Sequence, residues 1–513
     1  MNIDRIVDFS VKNRYLVLVL VAFASILGWF SFRTSPVDAI PDLSDTQVIV
    51  YSKWDRSPDV IEDQVTYPIV TAMLGAPHVK AVRGFSDFGY SFVYVVFDEG
   101  TNVTAARSRT NELLAGVLQR IPKGVQTQLG PDASGLGWVY QYALVDKSGK
   151  LNPADIRAYQ DWTLRYQLKS VPGVAEVATV GGFGRQFQVN IDPVRLRRYG
   201  VPLRKVVDAV RGANQESGGR LVEFGGTEYM VRGRGYAKSL NEFSETVIQG
   251  MDNDRPVRIG DVADVEFGPD MRRGVADFNG DGETVSGIVI AQQGEHVSDV
   301  INRVKARIKD VKGSMPAGLE LVPVYDRSDL IKRSINTLNT TLLEAMIVVA
   351  LVIFVFLWHF PSSIIPVITI PVSILIAFIP FKLMGLSVNI MSLGGIAIAV
   401  GAMVDAAIVV VEQTHKRLEE WEKGGRNGSV SSVVVQGVKD VAGPSFFALL
   451  VIAVSFLPIM TLEAQEGRLF KPLAYTKNLS MLVAAIMVLT LDPALRILIV
   501  KLGEKKTGNA IID

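Results

Sequence analysis

The chain has 513 residues, 48% of them hydrophobic, with a mean hydropathy of +0.26. Its 53 basic and 52 acidic residues leave a net charge of +1, so nothing points to nucleic acid as a partner. Cysteine is absent, which excludes disulfides, thiolate metal sites and a cysteine nucleophile. The apolar residues are segregated: one run lies near the N-terminus, a polar block of roughly 300 residues follows, and the last third is mostly apolar.

In chain order, Lys12 and Arg14 precede an apolar run to Phe32, close to the ~20 residues a spanning helix needs. The acidic PVDAIPD segment follows with no small-residue cleavage site, so an uncleaved first membrane helix is expected within 1–32. The polar block, 33–337, alternates strand and helix patterns and repeats weakly. APHVKAVRGFSDFGYSFVYVVF echoes VPGVAEVATVGGFGRQFQVNI, and each is followed by a helical pattern, Ala105–Gln119 and Leu203–Arg211. IPKGVQTQL echoes MPAGLELVPV, the latter following a helix over Val297–Val311. Such alternation predicts compact α+β units of split βαβ (ferredoxin-like) type.

Five further spans are expected near Leu338–Trp358, Ile364–Met384, Asn389–Gln413, Ala442–Leu462 and Leu473–Val500, with a tail at 501–513. Pro366, Pro371, Pro458 and Pro493 fall inside or beside them, which membrane helices tolerate. Basic residues before the first span, between the fourth and fifth, and after the last fall on one side if the helices alternate. Both termini are then cytoplasmic, and the polar block lies outside, in the periplasm of a Gram-negative cell. The expected fold is an α-helical bundle of about six transmembrane helices in a lipid bilayer, carrying an inserted α+β region. Lys382, Lys471 and Lys477 are expected at span ends.

The run GGIAIAVGAMVDAAIVVVEQTHKR carries the chemistry. A carboxylate inside a bilayer-length stretch is costly and marks an ion or proton site by default. At 100° per residue, Gly394, Gly401, Asp405 and Glu412 fall within about 40° of one face. The glycines permit close helix approach, so Asp405 is expected to face the bundle. Asp405 reads either as a structural hydrogen-bonding residue or as a carboxylate whose pKa burial raises toward neutrality. Glu412, roughly 10 Å further along the helix, reads as a relay partner or as an interfacial residue paired with His415, Lys416 or Arg417. Asp492, beside Pro493 and near Arg496, suits a helix-end structural role better than a relay.

Thioethers are soft ligands that suit Cu(I) and Ag(I). Met271, Met391, Met403, Met481 and Met487 are therefore candidates, although methionine in an apolar helix is usually a gap-filler. Enzymatic readings are poor. No Gly-rich run carries the P-loop Lys-Ser/Thr, and the four histidines lack metal-site spacing.

Together, PVDAIPDLSDTQVIV, QVTYPIVTAML, VRGFSDFG, GPDASGLGWVYQYALVD, GPDMRRG, NIMSLGGIAIAVGAMVDAAIVVVE and EGRLF resemble the heavy-metal efflux branch of the RND (resistance–nodulation–division) transporters. The likeness is to the copper/silver type and runs almost from end to end. It implies proton-driven export of Cu(I) or Ag(I), split βαβ porter modules, a docking portion, a periplasmic adaptor and an outer-membrane channel. Asp405 falls on the family's relay aspartate, with Glu412 one candidate beyond it. Met271, Met391 and Met403 fall on methionines proposed to pass the metal along. The zinc/cobalt/nickel type carries a second acid where this chain has Ala399-Val400-Gly401.

The resemblance also implies a second tandem repeat, with lysine and glutamate relay partners and a three-methionine site, which this chain does not contain. Three expectations follow. The chain works as a half-size pump in a homo-oligomer, it is one half of a split pump, or it is a non-transporting metal-binding protein that modulates a full-length one.

Overall fold

The structure is a computed structural model and describes residues 3–233, 235–249, 256–272, 274–357, 360–425 and 429–498. The amphipathic helix α1 (Ile3–Lys12) leads into α2 (Arg14–Thr34), which is apolar all round. Then come β1 (Gln47–Lys53) and α3 (Pro58–Ile61), continued through a π-helical turn at Glu62–Thr66 into α4 (Tyr67–Met73). The strands β2 (Val79–Asp87) and β3 (Tyr90–Phe97), the helix α5 (Val103–Val117) and β4 (Gln126–Leu129) complete a β-α-β-β-α-β unit. Its sheet order is β2-β3-β1-β4.

A second unit starts with β5 (Trp138–Asp146), α6 (Pro153–Tyr159), a π-helical turn at Gln160–Leu164, α7 (Arg165–Lys169) and β6 (Val174–Gly181). It is interrupted by β7 (Arg185–Ile191), α8 (Pro193–Arg198), α9 (Leu203–Gly212), the hairpin β8 (Ser217–Phe224) and β9 (Thr227–Gly233), α10 (Leu240–Ser244), β10 (Val247–Gln249), β11 (Val257–Arg258), α11 (Ile259–Val262) and β12 (Ala263–Pro269). It resumes with β13 (Val285–Ala291), α12 (Val297–Val311) and β14 (Leu319–Asp326), in the sheet order β14-β5-β13-β6. Both sheets therefore place their first and third strands in the middle and their second and fourth at the edges.

This topology divides the sequence echoes. IPKGVQTQL and MPAGLELVPV each contain a fourth, edge strand, β4 and β14. In the other pair, β2 and β6 correspond, but β7 does not take the place of β3. The partner of β6 is β13, and β7 pairs with β12 in the inserted unit. Local turn-and-strand chemistry was alike, and long-range register chose a different strand. The helix that matches α5 is accordingly α12 rather than α9. Gly287 of β13 shows how tightly that register is set. It lies opposite Tyr142, and a Cβ there would collide with the buried ring, whose hydroxyl donates to Gln160 Oε1 at 2.9 Å.

The remaining described elements are helices: α13 (Arg327–Leu357), α14 (Phe360–Leu383), α15 (Ile390–Lys423), α16 (Val430–Val454), the short α17 (Leu457–Met460) and α18 (Ala464–Leu489), with residues 491–498 also helical. Among the described residues, five helical segments are long and apolar enough to cross a membrane: Arg14–Thr34, Ile364–Leu383, Ile390–Lys423, Val430–Met460 and Ala464–Leu489. The span expected at 338–358 falls on α13, and Trp358, Val500 and the tail lie outside the described residues. Pro366, Pro371 and Pro380 sit within α14, Pro444 within α16 and Pro472 within α18, without ending any of them.

The bundle core is formed chiefly by α14, α15, α16 and α18 around Ile396, Val400, Met403, Val438, Met481 and Val488. Gly395 sets a close approach between α15 and α18. A Cβ there would collide with the Leu473 carbonyl and Thr476, so α15 and α18 touch backbone to backbone at this level.

Candidate functional site

α15 begins with a capping box: Asn389 Oδ1 accepts from Ser392 N at 2.9 Å, and Asn389 N donates to Ser392 Oγ at 2.8 Å. From that fixed start, the 3.6-residue period assigns every side chain to a face. Ile396, Ala399, Val400, Met403, Ala406, Val410 and Val411 are buried against neighbouring helices. Ile398, Gly401, Asp405, Val409 and Glu412 are exposed, and Gly394 is half-buried.

Asp405, Glu412 and the two glycines thus share a face, as the spacing predicts, but that face does not look into the bundle. It lies on the outside of this chain. Added Cβ atoms at Gly394 and Gly401 would meet nothing within 4 Å. The physical reason is that the larger apolar side chains occupy the opposite face, and these form the contact with α16 and α18. Neither an ion pair nor a hydrogen bond reaches Asp405 or Glu412 among the described residues. Arg417, one of the bases near Glu412, is engaged elsewhere, pairing with Asp440 at 2.7 Å and with Glu420 at 3.4 Å.

The three candidate methionines are not brought together. Met403 is 3% exposed in the bundle core. Met391, in the first turn of α15, is half-buried and lies about 18 Å from Met403 along the axis. Met271 is 77% exposed, far outside the apolar helices. It borders a cleft of about 530 Å³ between the two β units, lined by Lys53, Asp55 and Tyr90 on one side and Arg157, Gly181–Gly184, Asp270 and Arg272 on the other. The arginines there are engaged. Arg157 pairs with Asp161 at 2.6 Å, and Arg272 pairs with Glu283 at 2.9 Å while lying over the Phe183 ring. No group of three or more His, Asp or Glu poised for a metal occurs among the described residues. Met271, Met391 and Met403 thus lie at three separate places in the chain.

Asp492 takes the structural role that its surroundings suggested. It forms a two-pronged pair with Arg496, Nε to Oδ2 at 2.7 Å and Nη2 to Oδ1 at 3.1 Å, with both side chains buried. Its carboxylate also borders a water-sized space of about 10 Å³ shared with Thr369, Ser373 and Met403.

Lys477 corrects the expectation that no lysine lies centrally in a span. Because α18 begins at Ala464, well before the expected start, Lys477 falls mid-helix and is 1% exposed. Its ammonium sits 2.9 Å from the Phe456 ring centroid and 3.4 Å from the Ile452 carbonyl, at the C-terminal end of α16. The negative end of the helix and the ring face both favour a cation there. The clue was the polar run Thr476-Lys477-Asn478 in the least apolar of the five candidate spans, mean hydropathy 1.4.

The profile of the AcrB/AcrD/AcrF family matches residues 6–511. The chain is 49% identical over 499 residues to the cation efflux system protein CusA of Escherichia coli K12, covering 96% of this chain and 48% of that protein. It is 48% identical to the putative cation efflux system protein SilA of Salmonella typhimurium, with the same coverage. It is 36% identical to the cobalt-zinc-cadmium resistance protein CzcA of Cupriavidus metallidurans, covering 96% of this chain and 47% of that one. A crystal structure of a heavy metal efflux pump superposes with a TM-score of 0.84 at 31% identity, covering 95% of this chain and 48% of the other. The chain spans about half the length of the relatives it matches.

Proposed function

The chain belongs to the AcrB/AcrD/AcrF family, the RND group, and from that premise we propose that it works in heavy-metal efflux, exporting Cu(I) or Ag(I) in exchange for protons. Asp405 is the proton-carrying group, with Glu412 beyond it, and Met271, Met391 and Met403 are successive stations for the metal, which is cargo rather than a resident cofactor. The observation that carries this reading is the position of Asp405. It is a carboxylate in mid-span, on a glycine-lined face left open among the described residues. Such a face is covered in the working protein by another helix, from a second copy of this chain or from a second repeat.

The homo-oligomer draws further support from the β8–β9 hairpin. It pairs with no other strand among the described residues and exposes Leu221, Phe224, Tyr229 and Met230. An inner-membrane setting with the β units outside is supported by two contacts. Asp8 of α1 pairs with Lys439 of α16 at 2.6 Å, which puts the start of the chain at the basic end of the bundle. Asp38 N donates to Val388 O at 2.9 Å at the opposite end. The two β-α-β-β-α-β units are read as ferredoxin-like porter modules, and the inserted unit as the docking portion that meets an adaptor and an outer-membrane channel. Thioether stations favour soft monovalent metals, and the lower identity to the cobalt-zinc-cadmium protein points the same way.

The test is a sealed-vesicle assay with the purified protein. Silver- or copper-dependent proton movement, lost in Asp405→Asn, is the expected result. No metal-dependent proton movement by this chain alone would overturn the homo-oligomeric pump and leave the split-pump and the non-transporting, metal-binding readings.

A further inference from the structure

We propose that residues 36–45 form a strap that couples α15 and α18 to the outer β units, with the Asp38–Arg327 pair as its fixed point. The proposal rests on the transport reading only for what the coupling serves. Its geometry stands independently.

Arg327 is the first residue of α13 and directly follows the edge strand β14. It is 4% exposed. Its fork grips Asp38, Nε to Oδ1 at 2.9 Å and Nη2 to Oδ2 at 3.0 Å, and its remaining arm donates to the Leu136 carbonyl just before β5. Burial lifts the Asp38 carboxyl above its ordinary value even with Arg327 beside it, and with Arg327 buried and Asp38 half-buried solvent screens this pair only in part. A two-pronged pair is directional and short-ranged, which makes it a rivet rather than a diffuse attraction.

The strap is also bonded to the bundle. Val388 N donates to Pro36 O at 2.8 Å, Asp38 N to Val388 O at 2.9 Å, and Ile390 N to Ala39 O at 3.1 Å. These bonds bracket Asn389, the cap of the helix that carries Asp405. Further along, Arg468 of α18 donates to Leu43 O at 3.0 Å and pairs with Asp45 at 3.1 Å. The strap then enters β1, whose last residue, Lys53, lines the cleft beside Met271. A shift of α15 along its axis therefore pulls on residues 36–39, and Arg327 passes that pull to β14 and β5. Asp38 and Arg327 are positioning residues that touch neither proton nor metal.

The test uses the whole protein in lipid nanodiscs and reads backbone amide exchange at residues 386–392. Arg327→Gln and Asp38→Asn are each expected to speed exchange there by about tenfold or more. The double variant should be no faster than either single one, because both remove the same link. Arg327→Lys keeps the charge without the fork, should fall between, and serves if Arg327→Gln does not fold. Wild-type exchange at 386–392 in folded variants, or effects that add, would overturn the strap. In vesicles, the same variants should lose metal-driven proton uptake while keeping metal-independent uptake. A proportional loss of both would mark the pair as merely structural. If the wild type moves no protons with metal, the transport reading fails while the exchange measurements still decide the joint.

Discussion

Met403 and Asp405 stand two residues apart on α15 and face opposite ways, the thioether into the bundle core and the carboxylate onto an uncovered face. Two residues turn a helix by about 200°, so the helix separates a metal-compatible group from a proton-compatible one. Each can be altered without disturbing the packing of the other.

Asp405→Asn should leave the unfolding midpoint of the chain where it is, because no ion pair or hydrogen bond to Asp405 is lost among the described residues. Metal-dependent proton movement should be abolished. Scanning fluorimetry in detergent beside the vesicle assay separates the two outcomes. A large drop in midpoint would mean that the carboxylate is structural.

The glycines should divide by face. Gly395→Ala drives a Cβ into the Leu473 carbonyl and should destabilise by about 1–3 kcal/mol as overpacking. Gly401→Ala puts a Cβ where nothing lies within 4 Å among the described residues and should not lower the chain's stability. It should nonetheless block the approach of a covering helix, read as lost oligomer by native mass spectrometry or as lost transport. Equal destabilisation by both would contradict the open face.

Methionine substitutions should also split. Met403→Ala opens a cavity in a packed core and should cost about 2–5 kcal/mol, whereas Met403→Leu should cost under about 1.5 kcal/mol. Met271→Ala removes an exposed side chain and should leave stability alone while weakening Ag(I) binding in a calorimetric titration. Replacing Met271, Met391 and Met403 singly and then together should reduce silver binding in increments that add, since the three do not share a site.

The second β unit should lose stability in acid. Burial alone would raise the Glu176 carboxyl, but Lys169 at 2.7 Å and Arg165 at 3.0 Å overcome it and hold the group below its ordinary range. A lowered folded-state pKa gives stability that is fully present above the unfolded value of about 4.3 and is lost as pH falls through the folded one. Denaturant titrations from pH 6 down to about pH 3 should show this slope in the wild type and a shallower one in Glu176→Gln.

Much of the framework was legible from residues in order. The apolar runs and their basic flanks located α2, α14, α15, α16 and α18, because a bilayer-length helix is a local property of composition. The shared face of Gly394, Gly401, Asp405 and Glu412 was legible too, since helical period depends only on spacing. The edge strands β4 and β14 could be matched by their turn residues.

Tertiary structure decided the remainder, for one reason: it depends on which distant surfaces meet. Period alone does not say which face of α15 is buried, and the larger side chains around Met403, rather than the glycines around Asp405, took the contact. Local pattern made β7 look like a third strand, and the sheet chose β13. Lys477 fell at the edge of an apolar run, yet an earlier helix start placed it mid-span at the end of α16. Asp38 and Arg327 are 289 residues apart and carry no shared motif. The sequence by itself determined the membrane helices and the charged groups they carry. Only the fold decided which of those groups are covered, paired or left open, because burial and pairing are set by neighbours brought together from far along the chain.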